Sequence, residues 1–317
     1  MKSFDLKAWI LERRIVLFLF GVARKIKPWG FEGLSLYYVA EFFIEAMNKG
    51  SVSTRAAAIA FRLFISIFPA LIVLLSLIPI IPIDNFQESL FSNIQGFFPG
   101  DTFTLFESTL HDLINRSHST ILSIGFILAL YFSSDTVNAI LQGFNASFNL
   151  EKRRTAISMR LLSLLLLLIL TIMLVISVGL ITFSEIIFYK FKEYQILNDS
   201  FILTVLDIAR WLIIVMLIYG SISILYNTGD LKRSKWKSFN AGSSFATIFF
   251  VLASLAFAWF VQNFASYNRL YGSLGTLLVL LVWMNFNCFI LLLGFELNTS
   301  ISRAKRSAIQ TIKTVTE

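Results

Sequence analysis

Asp135, Asn138, Gln142, Asn145 and Asn149 stand 3, 4, 3 and 4 residues apart in a largely apolar stretch. On a helix turning about 100° per residue they fall within an arc of roughly 80°. One face would therefore carry a carboxylate and four amides, the chemistry of a hydrated path or of hydrogen bonds between helices. Upstream, Arg55, Arg62 and Ser66 also share a face, with Arg62 roughly 10 Å further along the helix than Arg55. A third apolar run carries Asn285, Asn287, Glu296 and Asn298. An arginine inside such a run is costly unless water or a carboxylate compensates it, so Asp135 or Glu296 is the expected partner of Arg62. Two readings stand open. The three helices line a polar cavity, or the amides only fasten neighbouring helices together.

Other chemistries find no carrier. His111 and His118 are the only histidines and do not make a ligand set, and Cys288 is alone within an apolar run. The sequence contains no glycine-rich phosphate loop and no Gly-x-Ser-x-Gly elbow. No enzyme activity, cofactor or metal is expected. Asp207 and Arg210, one turn apart, read as a structural ion pair.

The elements that must position these side chains are membrane spans. Hydrophobic residues make up 56% of the 317 and charged residues 15%, with a mean hydropathy of +0.75. Typical soluble domains have about 25% charged residues, so this surface is too apolar to face water. Six runs meet the roughly 20-residue requirement for crossing. They lie near Ala60–Ile83, Ile121–Gly143, Leu161–Phe183, Phe201–Tyr226, Phe239–Phe264 and Leu274–Thr299. The nine apolar residues Ile15–Ala23 are too few to cross. Pro69, Pro79 and Pro82 remove backbone donors from the first span, so its middle is expected to kink or unwind. Gly242-x-x-x-Ala246 in the fifth reads as a close helix contact.

Of the 27 lysines and arginines, 21 fall on one side of these spans, four on the other, and Arg62 and Arg210 within them. This positive-inside pattern puts both termini in the cytoplasm and accounts for the +8 net charge without nucleic acid. The expected fold is an all-α polytopic membrane protein with six transmembrane helices. Residues 1–52 form a cytoplasmic segment with interfacial helices, among them an amphipathic Leu34–Met47. Residues 53–300 form the transmembrane domain, and 301–317 a basic cytoplasmic tail. The first outer loop, about 84–120, carries Phe103, Phe106, Leu110 and Leu113 at helical spacing and reads as a helical cap.

Several motifs follow one another in a familiar order. Arg55-Ala56-Ala57-Ala58-Ile59-Ala60-Phe61, with Ser66-Ile67-Phe68-Pro69, is similar to the first-span signature of the YihY / virulence factor BrkB family. Gln142-Gly143-Phe144-Asn145 resembles its second-span motif, and Ala241-Gly242 its small pair opening the fifth span. Tyr271-Gly272-Ser273-Leu274-Gly275, Trp283 and Gly294-Phe295-Glu296-Leu297-Asn298 complete the resemblance, which covers roughly residues 34–300. Pro69, Gly242, Tyr271, Gly272, Gly275, Trp283 and Gly294 would be its structural positions. One departure is Asn227-Thr228-Gly229, where the family usually has a proline.

The resemblance implies a bacterial inner-membrane protein. Members have been labelled ribonuclease BN or linked to serum resistance, and transport of a lipid or other solute has been suggested for relatives. The residues favour transport over nuclease chemistry, because the basic side offers no carboxylate or histidine cluster to hold catalytic metals. The leading expectation is a transport-like protein whose polar, cytoplasm-facing cavity takes an anionic lipid or other amphipathic solute. Arg55, Arg62, Ser66, Asp135, Asn138, Gln142, Asn145, Asn285, Glu296 and Asn298 are its candidate lining. Anionic lipid headgroups are the expected partner, together with a second copy or an envelope protein. The alternative is a non-transporting scaffold or envelope-maintenance protein.

Overall fold

The structure, a computed structural model, describes residues 24–28, 30–49, 51–77, 119–146, 155–193, 200–229, 236–237, 239–263 and 273–316. Seven helices run through them: α1 (Leu36–Lys49), α2 (Val52–Leu77), α3 (Ser119–Asn145), α4 (Ala156–Glu193), α5 (Ser200–Gly229), α6 (Ala241–Asn263) and α7 (Ser273–Thr316). No strand occurs among the described residues. Helices α2 to α7 each contain a run long and apolar enough to cross a bilayer. The chain is an all-α polytopic membrane protein with six transmembrane helices.

Helix starts differ from the expected boundaries, for a local reason. The Arg55 amide donates to Ser51 O at 3.0 Å, so α2 begins eight residues before Ala60. Thr155 caps α4: its carbonyl accepts from the Met159 amide at 3.0 Å and its hydroxyl from the Ser158 amide at 3.4 Å. That cap brings Arg160 inside α4. Helix α2 runs unbroken through the buried Pro69, so the expected local unwinding there is not present. Pro79, Pro82 and residues 84–118 of the expected cap lie outside the described residues, as do Ile15–Ala23.

Helices α2 and α3 form the most extensive contact, and α7 packs on both α2 and α6. At their centre Phe144 stacks on Phe295 at 4.2 Å and meets Tyr226 edge-on at 5.5 Å. The Tyr226 hydroxyl donates to Leu291 O at 2.6 Å, which satisfies a polar atom deep in this core. Helices α6 and α7 cross at glycines. A Cβ on Gly294 would lie 2.7 Å from Gly242 O and 2.9 Å from the Ala246 Cβ, so the backbones touch. Outer faces of α4, α5 and α6 expose leucine, isoleucine and tryptophan, as lipid permits and water does not.

The contacts of α1 lie beyond the bundle, on the far part of α7. Val39 and Phe31 bury against Ile301 and Ala304. A turn with positive φ at Gly30, Glu32 and Gly33 leads into it, and Gly30 closes to 3.2 Å of the Ala241 amide, counted from where a Cβ would sit.

Candidate functional site: two arginines of α2

Arg55 and Arg62 both point from α2 toward α3, but into different surroundings. Arg55 donates to Gly143 O at 2.6 Å and to Glu296 Oε1 of α7 at 2.8 Å. Its side chain is 14% exposed and that of Glu296 only 2%. This is a desolvated pair that ties three helices together, and truncating either partner would strand a charge. Phe144 and Phe295 of the aromatic core adjoin Gly143 and Glu296 in sequence.

Arg62 is the eleventh residue of the 22-residue apolar run Val52–Val73 of α2, a helix that continues to Leu77. Its guanidinium donates to Asp135 Oδ2 at 3.1 Å. Arg160 approaches Asp135 Oδ1 at 3.7 Å from α4, donates to Tyr131 O at 3.2 Å, and lies 4.6 Å over the Tyr131 ring. Arg62, Asp135 and Arg160 are 41%, 30% and 32% exposed. One carboxylate therefore faces two guanidiniums, each partly open at the surface of the bundle. Together with the Arg55–Glu296 pair, three cations meet two anions. Among the pairs of the described residues, one positive charge is in excess.

Between α2 and α3 a cleft of about 190 Å³ opens beside these groups. Arg55, Arg62 and Gln142 supply its polar wall, and Ala58, Ala139 and Ala146 its smooth one. Small side chains at those three positions are what leave the space. The other expected residues are distributed elsewhere. Ser66 donates to its own helix at Leu63 O, 2.7 Å away. Asn298 accepts from the Gly242 amide at 2.8 Å and donates to Asn240 Oδ1 at 2.6 Å, fastening α7 to the start of α6. The buried Oδ1 atoms of Asn138, Asn145 and Asn285 meet no donor among the described residues. Buried amide oxygens of this kind are ordinarily met by water. Asn149 lies outside the described residues, as do Tyr271 and Gly272. Gly275 is buried near the start of α7, and Trp283 stacks on Phe257 at 5.1 Å.

Three arrangements have no counterpart in the sequence expectations. Arg160 joins Asp135, although the Thr155 start signal ahead of its apolar run could have shown it lying inside a helix. Asn227 ends α5 by donating to Lys237 O at 2.9 Å and accepting from the Lys237 amide at 3.0 Å. This amide clamp stands where the resemblance would have put a proline. Glu32 bridges Lys237 and, at 2.5 Å, Lys305. Burial, and then the Lys305 charge, hold the Lys237 ammonium below its ordinary pKa. Asp207 and Arg210 pair at 2.6 Å within α5. Among the described residues no group of three or more His, Cys, Asp or Glu side chains could hold a metal ion.

Six spans, a sealed ion pair joining three of them and a half-open charge cluster between α2, α3 and α4 define a polytopic membrane protein with charges paired among its apolar helices. The virulence factor BrkB family profile matches residues 43–314, and the chain belongs to that family. It is 28% identical over 253 residues to a putative ribonuclease-like protein, YfkH, of Bacillus subtilis, covering 80% of this chain and 91% of the relative. A UPF0761 membrane protein of Haemophilus influenzae is 22% identical over 275 residues, covering 84% and 96%. One of Aggregatibacter aphrophilus is 20% identical over 286 residues, covering 87% and 96%. No solved structure matches the chain.

Proposed function

We propose that the protein is transport-like and that the α2–α3 cleft receives the headgroup of an anionic lipid or similar amphipathic solute. The observation that carries this is the cluster around Asp135. Arg62 lies within the apolar run of α2, is 41% exposed, and among the described residues shares one carboxylate with Arg160. A guanidinium within such a run cannot face hydrocarbon without several kilocalories of cost, so water or an anion covers it. A phosphate-type headgroup accepts hydrogen bonds from two guanidiniums and neutralises the surplus charge. Gln142 lies on the way in, and the amide oxygens of Asn138 and Asn145 favour a wetted face along α3.

Orientation belongs to the same proposal. The basic ends of the spans and both termini face the cytoplasm of a bacterial inner membrane, where anionic lipid is drawn to them. Asp135 and Glu296 are each engaged by arginine, which disfavours the metal binding that a ribonuclease would need. The name of the Bacillus relative is therefore not carried over to this chain. A scaffold role is the second reading, favoured by the Arg55–Glu296 pair, which holds helices and leaves little of itself exposed.

The test is lipid movement. Purified protein in vesicles is given a fluorescent phosphatidylglycerol in one leaflet, and the accessible fraction is followed with a membrane-impermeant quencher. Faster exchange than in empty vesicles, slowed by Arg62→Gln and weak for a zwitterionic analogue, is expected. Exchange no faster than in empty vesicles, with folded protein, favours the scaffold.

A further inference from the structure

A second space lies in the bundle, and the proposed headgroup site does not use it. It measures about 470 Å³ and is walled by residues of all six spans. Its shape can be read from the helices. On α5 the wall is Ile214, Leu217, Ile218, Ser221, Ile222 and Leu225. That spacing is an unbroken helical stripe about 16 Å long. On α4 Leu170, Met173, Leu174, Ser177 and Val178 repeat the pattern. The cavity is therefore elongated along the helix axes.

Its walls are mostly apolar: the hydroxyls are engaged elsewhere, and the one amide, Asn287, donates to Trp283 O at 2.8 Å while its buried Oδ1 meets no donor among the described residues. Ser177 donates to Met173 O at 2.8 Å, and Ser221 to Leu217 O at 2.8 Å. Leu174 and Val178, one turn apart, line the space and are also 63% and 55% exposed on the outside of α4. The mouth is therefore at α4, within the apolar span Ala156–Leu180, where the surrounding medium is acyl chain. At its other end the cavity reaches Ile59, which also walls the cleft beside Arg62.

From this geometry we infer that the cavity holds one acyl chain of a bilayer lipid, entering between α4 and α5. A long, narrow apolar space opening into hydrocarbon takes a flexible hydrocarbon chain. Its volume lies in the range of about 300–1,000 Å³ found for ligand sites, and an occupying chain supplies the dispersion contacts its walls would otherwise lack. Where the ligand is the amphiphile proposed above, an inference that rests on that reading, its head lies at Arg62 and its tail passes Ile59. The chain site itself stands on the cavity alone.

The test uses full-length protein in lipid nanodiscs containing phosphatidylglycerol with a diazirine near the end of one acyl chain. A second sample carries the same chain on phosphatidylcholine. After irradiation, crosslinked residues are mapped by mass spectrometry. Crosslinks on the buried Ile214, Ile222 and Leu225 are expected, and their loss in Ser221→Phe, which fills the space. Ser177→Leu fills it with a smaller side chain and is expected to act likewise if the phenylalanine variant does not fold. Crosslinks confined to outward residues such as Leu165, Leu168 and Ile172, unchanged in both variants, overturn the inference. The two readings fail separately. Buried crosslinks that ignore Arg62→Gln and headgroup charge support the chain site and remove the headgroup site. Arg62-dependent lipid retention without buried crosslinks does the reverse.

Discussion

Replacing Arg55 takes from Glu296, 2% exposed, its 2.8 Å guanidinium partner, and takes from Gly143 O its 2.6 Å donor. Breaking a buried pair by removing one partner costs about 3–5 kcal/mol, because the surviving charge keeps its desolvation penalty. Arg55→Met is therefore expected to melt at markedly lower temperature in detergent, and Arg55→Met/Glu296→Gln to recover much of the loss. Equal melting of Arg55→Met and wild type would show that the pair carries no stability. Arg62 differs in kind. Asp135 keeps Arg160 when Arg62 is removed, and all three side chains are a third or so exposed. With water covering the cluster, as the proposed cleft requires, exposed pairs of this sort are worth about 0–1 kcal/mol. On the proposed reading, two arginines on one helix face divide between holding the fold and meeting a ligand. Spacing alone gave both the same role, since only neighbouring helices decide which guanidinium is sealed.

At the scale of elements, the α6–α7 crossing depends on an absent side chain. A Cβ at Gly294 would meet backbone, at 2.7 Å from Gly242 O, and backbone cannot swing aside. Gly294→Val is expected to separate the two helices and abolish a monodisperse peak on size exclusion. Gly220→Ala is the contrast, because its Cβ would meet only the Met173 Cε at 3.6 Å. It is expected to fold and to gain about 0.5–1 kcal/mol from helix propensity. A monodisperse Gly294→Val would remove the crossing from the description of the fold. The stripe from Asp135 to Asn145 was legible because 3.6-residue periodicity survives in any helix. The membership of Arg160 was not, since it hangs on where α4 begins. Asn298 read as part of a cavity lining and instead fastens α6, and Glu32 gave no signal at all. Both depend on segments far apart in the chain meeting, which no local pattern records.

At the scale of the molecule, the 21-to-4 division of basic residues carries the proposed orientation. Cysteines introduced near Lys152, Lys235 and Lys305 are expected to resist impermeant thiol reagents in intact cells, and those near Asn93 or Asn268 to label. Uniform labelling would undo that orientation. Composition sufficed to show a six-span membrane protein, because hydropathy acts along the whole chain. It could not show where the charges would pair, because an ion pair such as Arg62–Asp135 joins residues 73 positions apart.

The most direct measurement is native mass spectrometry of gently purified wild type, Arg62→Gln and Arg62→Gln/Asp135→Asn, with thermal stability recorded on the same samples. A headgroup site predicts anionic lipid bound to wild type and largely lost from Arg62→Gln, with stability changed by no more than about 1 kcal/mol. Unchanged lipid in Arg62→Gln, with a large loss of stability restored by Asp135→Asn, would mean that this arginine only holds the fold.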